Sequence, residues 1–235
     1  MPSRYSKLAK LALMSALLAP AGLRAQITED FDDITTLSGA GWVFKNNSAP
    51  IGLTDWFQGE GTVFPAYNGP ATAYVAANFN NVAGAGNISN WLMTPLQTLT
   101  NGSVFSFFAR TANDWFPDRL ELRMSTAGSS SDVGSTDASV GDFTTLLLSI
   151  NPNLEQGVFP TAWTQYSATV SGLSGAMTGR FALRYFVTDG GEEGANSDYI
   201  GVDAVRYTVP EPASLALVAT GLAGLGAVAR RRRRN

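Results

Sequence analysis

The sequence predicts an all-β protein: a jelly-roll-type antiparallel β-sandwich, flanked by an N-terminal signal peptide and a single C-terminal hydrophobic helix. Three observations lead there. Short runs in the middle of the chain alternate apolar and polar residues at period two, as half-buried strands do. Clusters of Gly, Ser, Asn and Asp separate those runs and supply turns. The two ends, 1–25 and 209–235, instead carry continuous apolar stretches beside blocks of positive charge. The body between them, 26–208, has the size of one domain.

The elements follow in chain order. Arg4, Lys7 and Lys10 form a positive start, and Leu11 to Gly22 is an apolar stretch of 12 residues. Ala25 offers a small residue before Gln26, with Ala21 as the other cleavage position; this is the plan of a secretory signal peptide. The chain is therefore expected to use the Sec translocon and signal peptidase. Strands are expected over 41–44, 72–77, 91–94, 103–109, 119–124, 143–149, 163–170, 180–187 and 199–208. Within them Leu120, Leu122 and Met124 share one face, and Phe181, Leu183, Tyr185 and Val187 another. Phe105 and Phe107 oppose Val104 and Phe108. Turn-rich stretches are expected at 78–86, 126–141 and 189–196, the last an acidic mobile loop without an EF-hand pattern. The six arginines of the body fall in expected strands or, for Arg110, directly after one, and are read as outward-facing and solubilising.

The tail has three parts. Pro210-Glu211-Pro212 comes first, then Ala213 to Ala229, 17 almost wholly apolar residues, then Arg230 to Arg234. That apolar length is at the lower limit for a membrane-spanning helix, and the arginines would stay on the cytoplasmic side. Such a tail holds the chain in the membrane with its body exported.

Composition narrows the chemistry. The chain has 235 residues and neither histidine nor cysteine. Imidazole and thiolate metal sites, Ser-His-Asp triads, thiol nucleophiles and disulfides are thereby excluded. The formal charge of −3 hides a segregation. Residues 26–209 hold seven basic and 18 acidic side chains, a net of −11, and each end is +4. An acidic body repels phosphate, so no nucleic-acid partner is expected.

Two resemblances add to this reading. The order and spacing of Pro210-Glu211-Pro212, short apolar helix and arginine end resemble the PEP-CTERM sorting signal of Gram-negative bacteria. That resemblance implies processing by an exosortase-type transpeptidase, with an inner-membrane-anchored intermediate before the cell surface or extracellular matrix. The body motifs Ile27 to Asp33, Gly41-Trp42, Ser89 to Pro95, Asp118 to Arg123, Trp163 to Tyr166 and Asp198 to Val205 together resemble the choice-of-anchor J domain. This is a relative of cleaved-adhesin and MAM-type jelly rolls. It implies a surface protein associated with exopolysaccharide or adhesion, and a structural calcium tying the first strand to the last. The matching residues are Asp32 or Asp33, and Asp203; their other reading is as solvated strand-end carboxylates.

Among the five tryptophans, Trp115 in the loop Asn113 to Asp118 is the best candidate for stacking on a sugar, core packing being the alternative for each. No catalytic residue stands out. The leading expectation is an exported, non-enzymatic surface protein sorted by Pro210, Glu211 and Pro212. The alternative is a secreted polysaccharide-active hydrolase using a carboxylate pair.

Overall fold

Thirteen strands and the turns between them make up residues 23–113 and 115–210, which are the residues described by a computed structural model. The expected leader up to residue 22, and the tail from Glu211 with its expected helix, lie outside the described residues. Among the described residues no helix is long and apolar enough to cross a membrane.

The strands are β1 (Leu23–Glu29), β2 (Val43–Asn46), β3 (Ala49–Ile51), β4 (Phe57–Gln58), β5 (Val75–Asn78), β6 (Val82–Met93) and β7 (Gln97–Leu99). Then come β8 (Val104–Thr111), β9 (Leu120–Ser125), β10 (Thr145–Ile150), β11 (Thr164–Thr169), β12 (Met177–Gly190) and β13 (Tyr199–Pro210). One sheet runs β11-β8-β13-β5-β4, with β1 also on β13. The other runs β10-β9-β12-β6-β2, with β3 on β6 and β7 on β12. Consecutive strands β12 and β13 sit centrally in different sheets, so the chain crosses between layers. Ala25–Val209 forms one compact unit.

Period-two alternation builds the core between the sheets. Phe105, Phe107 and Ala109 of β8, Leu120, Leu122 and Met124 of β9, and Phe181, Leu183, Tyr185 and Val187 of β12 all lie in it, as their spacing predicts. Burying each such side chain contributes roughly 1.5–3 kcal/mol.

The outer faces depart from expectation, because loops cover part of each. On the seven-stranded sheet, Trp91, Met93 and Ala182 alternate with core residues and pack under Val133 and Phe143 of the loop after β9. On the six-stranded sheet, Phe64 and Trp163 close over Tyr74, Ala76 and Tyr199. Gly201 permits this second layer. A Cβ there would stand 2.8 Å from Phe64 Cε2 and 2.9 Å from Trp163 Cη2, so the rings rest on bare backbone.

The arginines are corrected accordingly: none of the six is exposed. Arg184 is 1% exposed. Its Nη1 lies 3.3 Å from Glu121 Oε2, and its Nε and Nη2 donate to Ser89 Oγ at 3.1 and 3.0 Å. Nη2 also donates to the Asp137 carbonyl, fastening the loop to the sheet. Its guanidinium sits 3.6 Å from the centroid of the Phe186 ring and 4.7 Å from that of Trp91. Arg206 joins Asp30 at 2.5 Å, linking the residue after β1 to β13. Alternation alone assigns these side chains to solvent; for Arg184 a covering loop supplies a carbonyl, and β6 and β12 supply the aromatic faces. A second correction concerns 78–86, expected as a turn: β6 begins at Val82 and runs through it.

Candidate functional site

One end of the sandwich is organised around a buried carboxylate. Asp118, in the loop after β8, is fully buried. Its Oδ2 accepts from Thr111 Oγ1 at 2.6 Å, and its Oδ1 from Tyr185 Oη at 2.5 Å and Asp198 N at 2.9 Å. Burial pushes its pKa up to about 6, against the lowering effect of those hydrogen bonds. Asn151 Nδ2 donates to its carbonyl at 3.0 Å. The loop carrying Trp115 and Phe116 is thus anchored to β8, β12 and the segment entering β13.

Hydrogen bonds tie both ends of the acidic loop between β12 and β13 to their surroundings. Ser197 N donates to Pro117 O at 2.9 Å, Phe79 N to Asp198 O at 2.9 Å, and Gly191 N to Ser197 Oγ at 2.9 Å. Asn196 N donates to Asp189 O at 2.9 Å. Gly191 has φ +100°, and a Cβ there would stand 1.9 Å from Gly84 O, so glycine is required. Ser197 holds φ 76° without being glycine, a strained conformation that persists because its neighbours fix it.

Between these loops opens a cleft of about 160 Å³, lined by Phe79, Phe116, Gly191, Glu192, Ser197 and Asp198. Asp198 Oδ2 is buried and has no hydrogen-bond partner among the described residues. Burial raises the Asp198 pKa, with the Asn113 backbone N–H acting in the opposite sense. Sequence reasoning named Asp198 in a motif and Phe116 beside Trp115, but gave neither a site role. Their meeting depends on loops about 80 residues apart in the chain, which no local pattern reports.

Of the tryptophans, Trp42, Trp56 and Trp91 are buried in the two clusters above. Trp163 is half-buried and donates Nε1 to Pro65 O at 2.9 Å. Trp115 is 73% exposed, in the loop that lines the cleft through Phe116.

The carboxylates expected for calcium separate into two situations. Asp33 is exposed and caps the 3-10 turn Ile34–Thr36, accepting from Thr35 N at 2.9 Å and Thr35 Oγ1 at 2.6 Å. Those bonds from Thr35 lower its pKa. Asp203 is fully buried; its Oδ2 accepts from Asn68 N at 2.9 Å and its Oδ1 from Ala204 N at 2.5 Å. Burial pushes its pKa up to about 6, and the charge of Asp30 adds to the rise. Asp32 Oδ1 lies 3.1 Å from the position of a Cβ on Gly69, so Asp32 and Asp203 meet adjacent residues of one loop. Among the described residues Asp203 makes no ion pair, and no group of three or more metal-capable side chains converges. Both Asp203 oxygens accept backbone N–H groups, and Asp32 is the one other expected carboxylate that meets the same loop. Asp33 is committed to its turn. Pro210, the first sorting residue, is the last of β13; Glu211 and Pro212 lie outside the described residues.

Residues 208–234 match the PEP-CTERM protein-sorting motif. No curated protein sequence matches the chain. Among solved structures, the K2 cleaved adhesin domain of Lys-gingipain is similar in fold, with a TM-score of 0.52 and 19% identity over 78% of this chain and 99% of that one. The K3 cleaved adhesin domain of Lys-gingipain from Porphyromonas gingivalis has a TM-score of 0.50 at 19% identity, over 78% of this chain and 98% of that one. At that identity the likeness is one of fold, a cleaved-adhesin-like β-sandwich.

Proposed function

We propose that the chain is an exported, non-catalytic protein of the cell surface or extracellular matrix, with the sandwich as cargo and the tail as its address. The observation that carries this reading is the position of the sorting match. It opens at Thr208 inside β13, so the address continues directly from a central strand of the cargo. Three domains follow: a signal peptide over 1–25, a choice-of-anchor J-like sandwich over 26–208, and a sorting tail over 209–235. The partners are the Sec translocon, signal peptidase, an exosortase-type transpeptidase, and the membrane through the tail helix until processing. A Gram-negative inner-membrane intermediate then gives way to a surface or matrix form associated with polysaccharide in a biofilm. Pro210 and Pro212 restrict the backbone on both sides of Glu211, favouring an extended peptide that a processing enzyme can bind.

Mass spectrometry of the mature protein tests this. The expected chain lacks residues 1–25 and the Arg230–Arg234 end; an intact arginine end on mature surface protein would overturn processing and leave a plain anchor.

Calcium belongs to the same reading as a structural ion, with Asp203 and Asp32 as its side-chain ligands. Its chemistry there is charge neutralisation within an acidic body. Thermal melting of the mature protein at pH 7.5 should rise with calcium over chelator, and the rise should vanish in Asp203→Asn. An identical melt in both conditions removes the ion. The hydrolase alternative requires turnover: release of reducing sugar from a polysaccharide, abolished by Glu192→Gln or Asp198→Asn, would replace the non-catalytic reading.

A further inference from the structure

We propose that the cleft between the Asn113–Asp118 and Asp189–Asp198 loops is a binding site for one neutral sugar ring, at a chain end or branch of a polysaccharide. The proposal deepens the surface-protein reading and rests on it.

Size comes first. About 160 Å³ is smaller than the roughly 300–1,000 Å³ of drug-sized pockets, so it takes one ring and not a longer segment. The lining combines two kinds of group that a pyranose needs. Phe79 and Phe116 present aromatic surface to the apolar C–H face of a ring. The carboxylates of Asp198 and Glu192 line the same cleft and offer acceptors to sugar hydroxyls.

Charge sets the class of sugar. Among the described residues the lining holds two carboxylates and no basic side chain, so uronate or sulfated rings meet like charge. Neutral hexose units do not. The site is also pre-formed. Asp118 fixes the loop bearing Phe116, the Ser197–Pro117 hydrogen bond joins the two walls, and Gly191 packs against Gly84. Little ordering cost then remains for binding. Trp115, adjacent in sequence and 73% exposed, offers a further flat face for a neighbouring sugar unit.

The test uses mature protein against immobilised neutral gluco-, galacto- and manno-oligosaccharides, with uronate oligosaccharides as the counter-set. Binding to at least one neutral series is expected, weakened tenfold or more by both Phe116→Ala and Asp198→Asn. Phe116 is half exposed, so its alanine variant should melt as the parent does. Unchanged affinity in Phe116→Ala, or a preference for uronates, would overturn the proposal. If no oligosaccharide binds while trimmed protein is found outside the cell, the cleft proposal fails and the sorting reading stands. If the protein stays inside the cell, the sorting reading fails, while oligosaccharide binding by purified protein trimmed of both ends still upholds the cleft proposal and its absence overturns it.

Discussion

Tyr185 and Asp118 meet across 2.5 Å, the phenol donating to a carboxylate that no water reaches. Tyr185 belongs to the interior face of β12 and Asp118 to the loop after β8, so this single bond joins the sandwich core to the wall of the cleft.

Removing that donor should therefore affect stability before anything else. Tyr185→Phe keeps the ring and leaves Asp118 with its Thr111 and Asp198 partners. A loss of about 1–3 kcal/mol is expected from urea unfolding, with an unchanged slope. An unaltered midpoint would show that the bond contributes nothing.

Acidity should matter through the same carboxylate and its counterpart at the other site. Asp118 and Asp203 both have folded-state pKa values raised to about 6 by burial, above the unfolded value of 3.8. A raised folded pKa means the native state holds its proton more tightly. Stability from these groups is fully present below about pH 4 and lost as pH rises through 6. In chelator, the melting temperature should rise on going from pH 8 to pH 5, and Asp203→Asn should flatten that rise. With calcium present the loss between pH 6 and pH 8 should diminish, since the ion binds the charged form.

At the outer aromatic layer, Gly201→Val should destabilise by more than about 2 kcal/mol, because the added side chain meets Phe64, Tyr74 and Trp163 within 3 Å. Calorimetry would register this as a lower melting temperature. A neutral result would mean that the layer lifts without cost.

The covered arginine gives a fourth case. Arg184→Ala leaves a cavity beside Trp91 and strips Glu121 of one of its two cationic partners, Arg123 being the other at 2.7 Å. A cost of about 3 kcal/mol is expected in denaturant titration. Arg184→Met together with Glu121→Leu should recover most of it, since burying neither charge avoids both desolvation penalties. Failure to recover would assign the loss to the Ser89 and Asp137 hydrogen bonds.

Much of the sandwich is legible in single strands. The β9 and β12 inner sets and the Phe105–Phe107 pair are read correctly because period two reports one interface, whatever the partner strand. Strands of two or three residues, such as β3, β4 and β7, carry too few alternations to register. The opposite faces are misread for a related reason. Arg180 and Arg184 alternate with apolar residues as solvent-facing side chains do, and only a loop arriving from elsewhere makes Arg184 a buried one. Trp115, expected to stack on a sugar, is 73% exposed. Phe79 and Asp198 are not linked to it, because their proximity is set by the Phe79–Asp198 and Ser197–Pro117 hydrogen bonds.

The sequence by itself determines the all-β class, the inner faces of the long strands, and a sorting motif at 208–234 directly after the last strand's core residues. Each is encoded locally, in alternation, turn chemistry or contiguous motif, and needs no knowledge of what packs against it. The tertiary structure decides which polar residues are removed from water. Asp118 and Arg184 are ordinary charges in the chain and Asp203 is singled out there only by resemblance; folding removes all three from water. The cleft beside Asp198 has the same origin. It exists because two distant loops are locked together at one end of the sandwich, a long-range closure with no periodic trace in sequence.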